Sequence, residues 1–173
     1  YKWDLVSDRQ VESTNSITRE KLTSPGKIIE FAKKNGRLRL CHSGNAGDIM
    51  YALPTIRQLK ALVNVPVELY LKLGRPMKLP AYHTHPLGNV MLNKKTADML
   101  ITLIRPQSYI DRCEILTDQT IDIDLDHFRS GGVPLNKGNI ARWCSYLTGV
   151  NPVLWTPWLN IEPNKNYQDS IVM

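Results

Sequence analysis

An alternating apolar strand that breaks into a glycine turn and restarts as an apolar helix leaves few folds open, and residues 37–63 have that form. Leu38 and Leu40 alternate with Arg39 and Cys41, which predicts a strand over 37–42. Ser43-Gly44-Asn45-Ala46-Gly47-Asp48 follows at once. From Asp48 to Val63 the residues Met50, Leu53, Ile56, Leu59 and Val63 fall near one helical face, with Pro54 expected to kink the first turns. Val67, Leu69, Leu71 and Leu73 then alternate with Glu68, Tyr70 and Lys72, which predicts a second strand. Strand, helix and strand make a βαβ unit with parallel strands and a right-handed crossover. The expected fold class is therefore α/β, a Rossmann-like parallel sheet flanked by helices.

The rest of the chain is placed around that unit. Residues 1–36 read as a polar N-terminal extension with a short helix near 17–22 and a better-marked one after Ser24-Pro25, ended by Asn35-Gly36. Residues 74–93 read as a long loop, and Asn93 as the cap of a helix over 94–104 with Ala97, Leu100, Ile101 and Ile104 inward. Short strands are expected over 112–116 and 120–125. A helix is expected over 136–147, where Ile140, Trp143, Cys144 and Leu147 have i, i+3, i+4, i+7 spacing. Residues 37–150 thus form the Rossmann-like domain, and 151–173 a linker leading toward a second domain. Trp155 and Trp158, set among prolines, are expected to pin that linker to the domain.

Composition narrows the setting. The chain has 173 residues, a size suited to one domain with a substantial core, and no apolar run approaches the roughly 20 residues of a membrane helix. Cys41, Cys113 and Cys144 match no zinc spacing, and their odd number argues against a disulfide framework, so buried thiols and a cytoplasmic location are expected. The net charge of +6 suits anionic partners, among them nucleotide sugars and nucleic acid, with Lys33, Lys34, Arg37 and Arg39 close together in sequence.

The glycine turn is where chemistry is expected. Glycines permit a sharp turn and close approach of a ligand, and the crevice of an open parallel sheet lies beyond the C-terminal ends of its strands. A helix start offers free N–H groups. Asp48, placed there, reads either as a helix cap or as a carboxylate poised at the crevice. The spacing is neither the dinucleotide fingerprint nor a P-loop.

The stretch from His42 to Ile56, with Gly47-Asp48 and Pro54 six residues beyond the Asp, resembles the opening loop and helix of the ADP-heptose:lipopolysaccharide heptosyltransferase family. Tyr109-Ile110-Asp111-Arg112 resembles the entry to that family's next strand. The resemblance implies the N-terminal, acceptor-side half of a glycosyltransferase-B fold, with the nucleotide-sugar donor bound by a second domain. It implies Asp48 as general base on an acceptor hydroxyl, with His42, Ser43, Gly44, Asn45 and Gly47 lining the acceptor site. The implied activity is transfer of a sugar from a nucleotide-sugar donor to a glycan or other acceptor, without metal or cofactor.

Other signals compete. Asp122, Asp124 and Asp126 form an Asp-x-Asp-x-Asp run like the metal-binding motif of the other large glycosyltransferase fold. Their alternation with Ile121, Ile123 and Leu125 favours a solvated edge face. His83 and His85 read as surface histidines, and His127-Phe128-Arg129 as part of a plain turn, with contact to an anionic acceptor the alternative. A second functional reading stands beside the enzyme: a catalytically inactive glycosyltransferase-like module for binding or assembly in a larger complex, contacting protein or nucleic acid. A Rossmann-like methyltransferase is disfavoured, because the second strand ends Leu71-Lys72-Leu73-Gly74 without an acidic residue.

Overall fold

The computed structural model describes residues 22–77, 88–130, 138–162 and 166. In chain order the elements are α1 (Pro25–Asn35), β1 (Leu38–His42), α2 (Ala46–Val63), β2 (Val67–Leu71), α3 (Lys94–Ile104), β3 (Arg112–Ile115), β4 (Ile123–Asp124), a 3-10 turn (Leu125–Ser130), a second 3-10 turn (Ile140–Arg142) and α4 (Trp143–Thr148). The four strands form one parallel sheet in the order β3-β2-β1-β4. The fold is α/β, a Rossmann-like parallel sheet with flanking helices. The expected helices near 17–22 and over the first residues of 136–147, and the histidines at 83 and 85, lie wholly or partly outside the described residues.

Strand register follows the apolar pattern. Leu38 pairs with Val67, Leu40 with Leu69 and His42 with Leu71, so one sheet face collects every buried leucine of β1 and β2. Ile28 and Ala32 of α1, Leu53, Ile56 and Leu59 of α2, Ala97 and Ile104 of α3 and Cys144 of α4 join that face in a single core. Removing one such side chain, as in Leu40→Ala, costs about 2–5 kcal/mol.

The opposite face departs from simple alternation. All five residues of β2 are buried, Glu68 and Tyr70 included. Parallel sheets are covered on both faces. Here the segment 116–122 crosses that face, and Leu116 and Ile121 close over Cys41 and Tyr70. Burial of the polar side chains is offset by pairing: Tyr70 Oη donates to Glu68 Oε2 at 2.7 Å, and Arg37 lies 3.7 Å from Glu68 Oε1. Arg37 and Arg39 are therefore partly neutralised by acids, which thins the basic cluster expected from their spacing.

Helix α2 starts two residues earlier than the apolar pattern predicts. Asn45 is its cap: Asn45 Oδ1 accepts the Asp48 N–H, and Asp48 Oδ2 accepts the Asn45 N–H, both at 3.0 Å. This reciprocal box satisfies two otherwise unpaired donors. The helix runs on through the buried Pro54 to Val63.

Beyond α4 the chain is strapped to the domain. Arg57 of α2 donates to the Val153 and Pro157 carbonyls and to Thr156 Oγ1. Tyr109 Oη donates to the Trp158 carbonyl, and Gln107 and Asn160 exchange two hydrogen bonds. Trp158 packs on the core, whereas Trp155 is 81% exposed and pins nothing. Among the described residues no helix is long and apolar enough to cross a membrane.

Candidate functional site

In a sheet ordered β3-β2-β1-β4 the chain reverses direction across the sheet between β1 and β4, and the ligand crevice of such sheets opens at that switch point beyond the strand ends. Two connections meet there. The β1–α2 turn brings Ser43, Gly44 and Asn45, and the 3-10 turn after β4 brings Asp126, Phe128 and Arg129.

Asp126 joins these connections. It is buried, and its Oδ2 accepts hydrogen bonds from both the Ser43 N–H and the Ser43 hydroxyl. Its Oδ1 lies 3.4 Å from His42 Nδ1, 3.5 Å from Arg75 and 3.6 Å from Arg129 Nε. Arg75 comes from a third loop, just after β2, and its guanidinium also reaches Ser43 Oγ at 3.4 Å. Burial pushes the Asp126 carboxyl up, but His42, charged in the acid range where this carboxyl titrates, the Ser43 donors and the Arg75 guanidinium outweigh it and hold the group below the usual carboxylate range.

Arg129 carries the network to Asp48. Its guanidinium donates to Asp48 Oδ2 and lies 4.6 Å from the centre of the Phe128 ring. Asp48 Oδ2 thus takes both the Asn45 N–H and Arg129, while Oδ1 carries no hydrogen bond from the described residues. The alternating series Arg75, Asp126, Arg129, Asp48 orients the Asp48 carboxylate from two sides.

His42 lies beneath the turn with its side chain fully buried. Burial holds its basicity below the ordinary histidine value despite nearby Asp126 and Asp48, so the ring is neutral. The Gly44 N–H donates to Nδ1 at 3.0 Å, which assigns the ring proton to Nε2. Gly44 is glycine for a steric reason: a Cβ there would sit 2.7 Å from Asp48 Cβ, Asp48 Oδ2 and His42 Cε1. At Gly47 a Cβ would meet only Asn45 Oδ1, at 3.3 Å.

The six residues singled out from the sequence therefore share one place. Asn45 and Gly47 are exposed and Asp48 is half-buried, whereas His42, Ser43 and Gly44 form the buried layer below. Arg75 and Asp126 join them without being expected at this place from the sequence pattern, and Arg129 stands beside the expected acceptor residues, as the alternative to a plain turn had it. The expected solvated face for Asp122, Asp124 and Asp126 is corrected: Asp122 and Asp126 are buried, and Asp124 is half-buried. Strand β4 ends at Asp124, so Asp126 belongs to a 3-10 turn and alternation does not apply to it. Asp122 instead completes the sheet edge, accepting from the Arg39 N–H at 2.7 Å and from its guanidinium at 3.2 Å. Among the described residues no three His, Cys, Asp or Glu side chains converge to hold a metal ion. Cys41, Cys113 and Cys144 are free and buried, and burial raises each thiol, Cys113 to about 12, which makes them poor nucleophiles.

No protein-family model matches the chain, and no curated protein or solved structure matches it significantly.

Proposed function

We propose that this chain is the acceptor-side half of a metal-independent glycosyltransferase of heptosyltransferase-like type, with a glycosyltransferase-B architecture completed by a donor-binding domain. The observation that carries the reading is the state of Asp48. It stands at the switch-point crevice with Oδ2 held by Arg129 and the Asn45 N–H, leaving Oδ1 for a proton. A carboxylate so fixed suits a general base: it accepts the acceptor hydroxyl's proton as that oxygen attacks the anomeric carbon of a nucleotide sugar. The acceptor then lies over Asn45 and Gly47, with His42, Ser43 and Gly44 shaping the layer beneath. The test is sugar transfer by the intact protein from ADP-heptose to a truncated lipopolysaccharide. Asp48→Asn, which keeps the side chain's shape, is expected to lower turnover about 10²–10⁴-fold. Undiminished turnover contradicts the assignment.

A second reading, an inactive module for binding or assembly, is favoured by one observation: Asp48 is already used in a helix cap and an ion pair, a sufficient structural role. A nucleic-acid partner would bind with steep salt dependence, whereas absence of binding at low salt dismisses it.

A further inference from the structure

Two atoms compete for His42 Nδ1. The Gly44 N–H donates to it at 3.0 Å, and Asp126 Oδ1 lies 3.4 Å away. Among the described residues that buried carboxylate oxygen has no hydrogen-bond partner, and the buried His42 Nε2 has none either. The Arg75 and Arg129 guanidiniums meet this oxygen at 3.5 and 3.6 Å, as ion pairs rather than hydrogen bonds, and a possible close donor stands next to it with its lone pair turned to a different group. The arrangement has two mutually exclusive states. In one, Nδ1 is unprotonated and holds the Gly44 N–H. In the other, Nδ1 carries a proton, donates to Asp126 Oδ1, and can no longer accept from Gly44.

We propose that His42 is a proton-operated switch on the glycine turn, in which protonation moves Nδ1 from the Gly44 N–H to Asp126 Oδ1 and releases the turn that carries Asp48. The reaction balances simply: His42 takes one proton from solvent, one hydrogen bond breaks, and a charge-assisted one forms. The close fit of the turn transmits the change. Gly44 is packed against both His42 Cε1 and Asp48, so it has no free space in which to relax independently of them.

The charged groups around the ring are Asp48 from α2, Asp124 from β4, and Asp126 and Arg129 from the following 3-10 turn, with Arg75 from the loop after β2 held against Asp126 Oδ1. Burial, the strongest influence, opposes the imidazolium, as does Arg129, while three carboxylates favour it. This balance is why the switch rests in its neutral state and needs acid to change. The switch is independent of sugar transfer and shows itself in protonation rather than activity.

The experiment is NMR of the full chain labelled with ¹⁵N, following the His42 ring nitrogens and the Gly44 amide from about pH 8 downward for as long as the far-UV circular dichroism stays native. At the upper end Nδ1 is expected in its unprotonated form and Nε2 protonated. On acidification the His42 nitrogens and the Gly44 amide are expected to move with one shared midpoint while the helical signal persists. In Asp126→Asn, which removes the carboxylate that would accept from a protonated Nδ1, the Gly44 amide is expected to stay in place over the same range. A protonated Nδ1 at pH 8 overturns the proposal. A Gly44 amide that ignores His42, unfolding before either moves, or an unchanged Gly44 titration in Asp126→Asn also overturns it.

Discussion

Arg129 donates to Asp48 Oδ2, binding the 3-10 turn after β4 to the first turn of α2 across the switch point of the sheet. The contact is mostly shielded from solvent, with the Arg129 side chain 22% and the Asp48 side chain 9% exposed. Replacing Arg129 by Met leaves the carboxylate without its charged donor. The expected loss is about 1–3 kcal/mol, read by urea unfolding. Arg129→Lys keeps the charge but not the flat fork that reaches Asp48 and Asp126 together, so an intermediate loss is expected.

The two glycines of the turn are predicted to differ. Gly44→Ala places a methyl group 2.7 Å from Asp48 and His42, where neither can withdraw without breaking its own hydrogen bonds. Overpacking of this kind costs about 1–3 kcal/mol. Gly47→Ala meets only a 3.3 Å contact at an exposed helix position. It is expected to be nearly neutral, and paired denaturation curves distinguish the two.

Stability is predicted to fall in acid in two stages. His42 has a folded-state value below its ordinary 6.5, so under 6.5 the unfolded chain binds a proton that the folded chain resists. Its contribution is fully present above 6.5 and declines as the pH drops toward the folded value. Asp126, held below its ordinary 3.8, adds stability above 3.8 that is lost further down. His42→Asn keeps an acceptor for the Gly44 N–H but cannot titrate. The stability difference between about pH 7.5 and pH 5.5 should therefore shrink in that variant; an unchanged difference would assign the acid sensitivity elsewhere.

Arg57 makes three contacts to the segment 153–157, two of them to backbone carbonyls that any residue would supply. Arg57→Ala is expected to free that segment without unfolding the sheet. Limited proteolysis should then cut between 151 and 160 at least several-fold faster, with the melting of the core little changed. Equal cleavage rates would show that the Tyr109 and Gln107 contacts hold the strap unaided.

The βαβ start of the fold was legible because its apolar residues obey two different periods on either side of a glycine turn. Leu38, Leu40, Leu53 and Ile56 needed only that pattern, and Asn93 only its position before a helix. The burial of Glu68 and Tyr70 was not legible, since alternation marks them as solvent-facing. Tyr70 is covered by Leu116 and Ile121, from a segment that reaches it only through the sheet's crossover, and Glu68 is held against Tyr70 Oη and Arg37. The candidate site was half visible for the same reason. Residues 42–48 are contiguous and announce a turn. Asp126 and Arg129 come to that turn from 81 to 83 residues further along the chain, and only the strand order brings them there. An acidic residue just past the end of a short strand is the available signal, but the alternation of Ile121, Ile123 and Leu125 carries the expected strand up to it.

The claim that an acceptor sits over this turn can be read directly from amide shifts. Heptose-containing core oligosaccharide is titrated into ¹⁵N-labelled protein, and the amides of 44–48 and 126–129 are followed together. Saturable shifts are expected, concentrated in those two segments. Saturation of shifts elsewhere, or no shift at these residues at millimolar oligosaccharide, would contradict it.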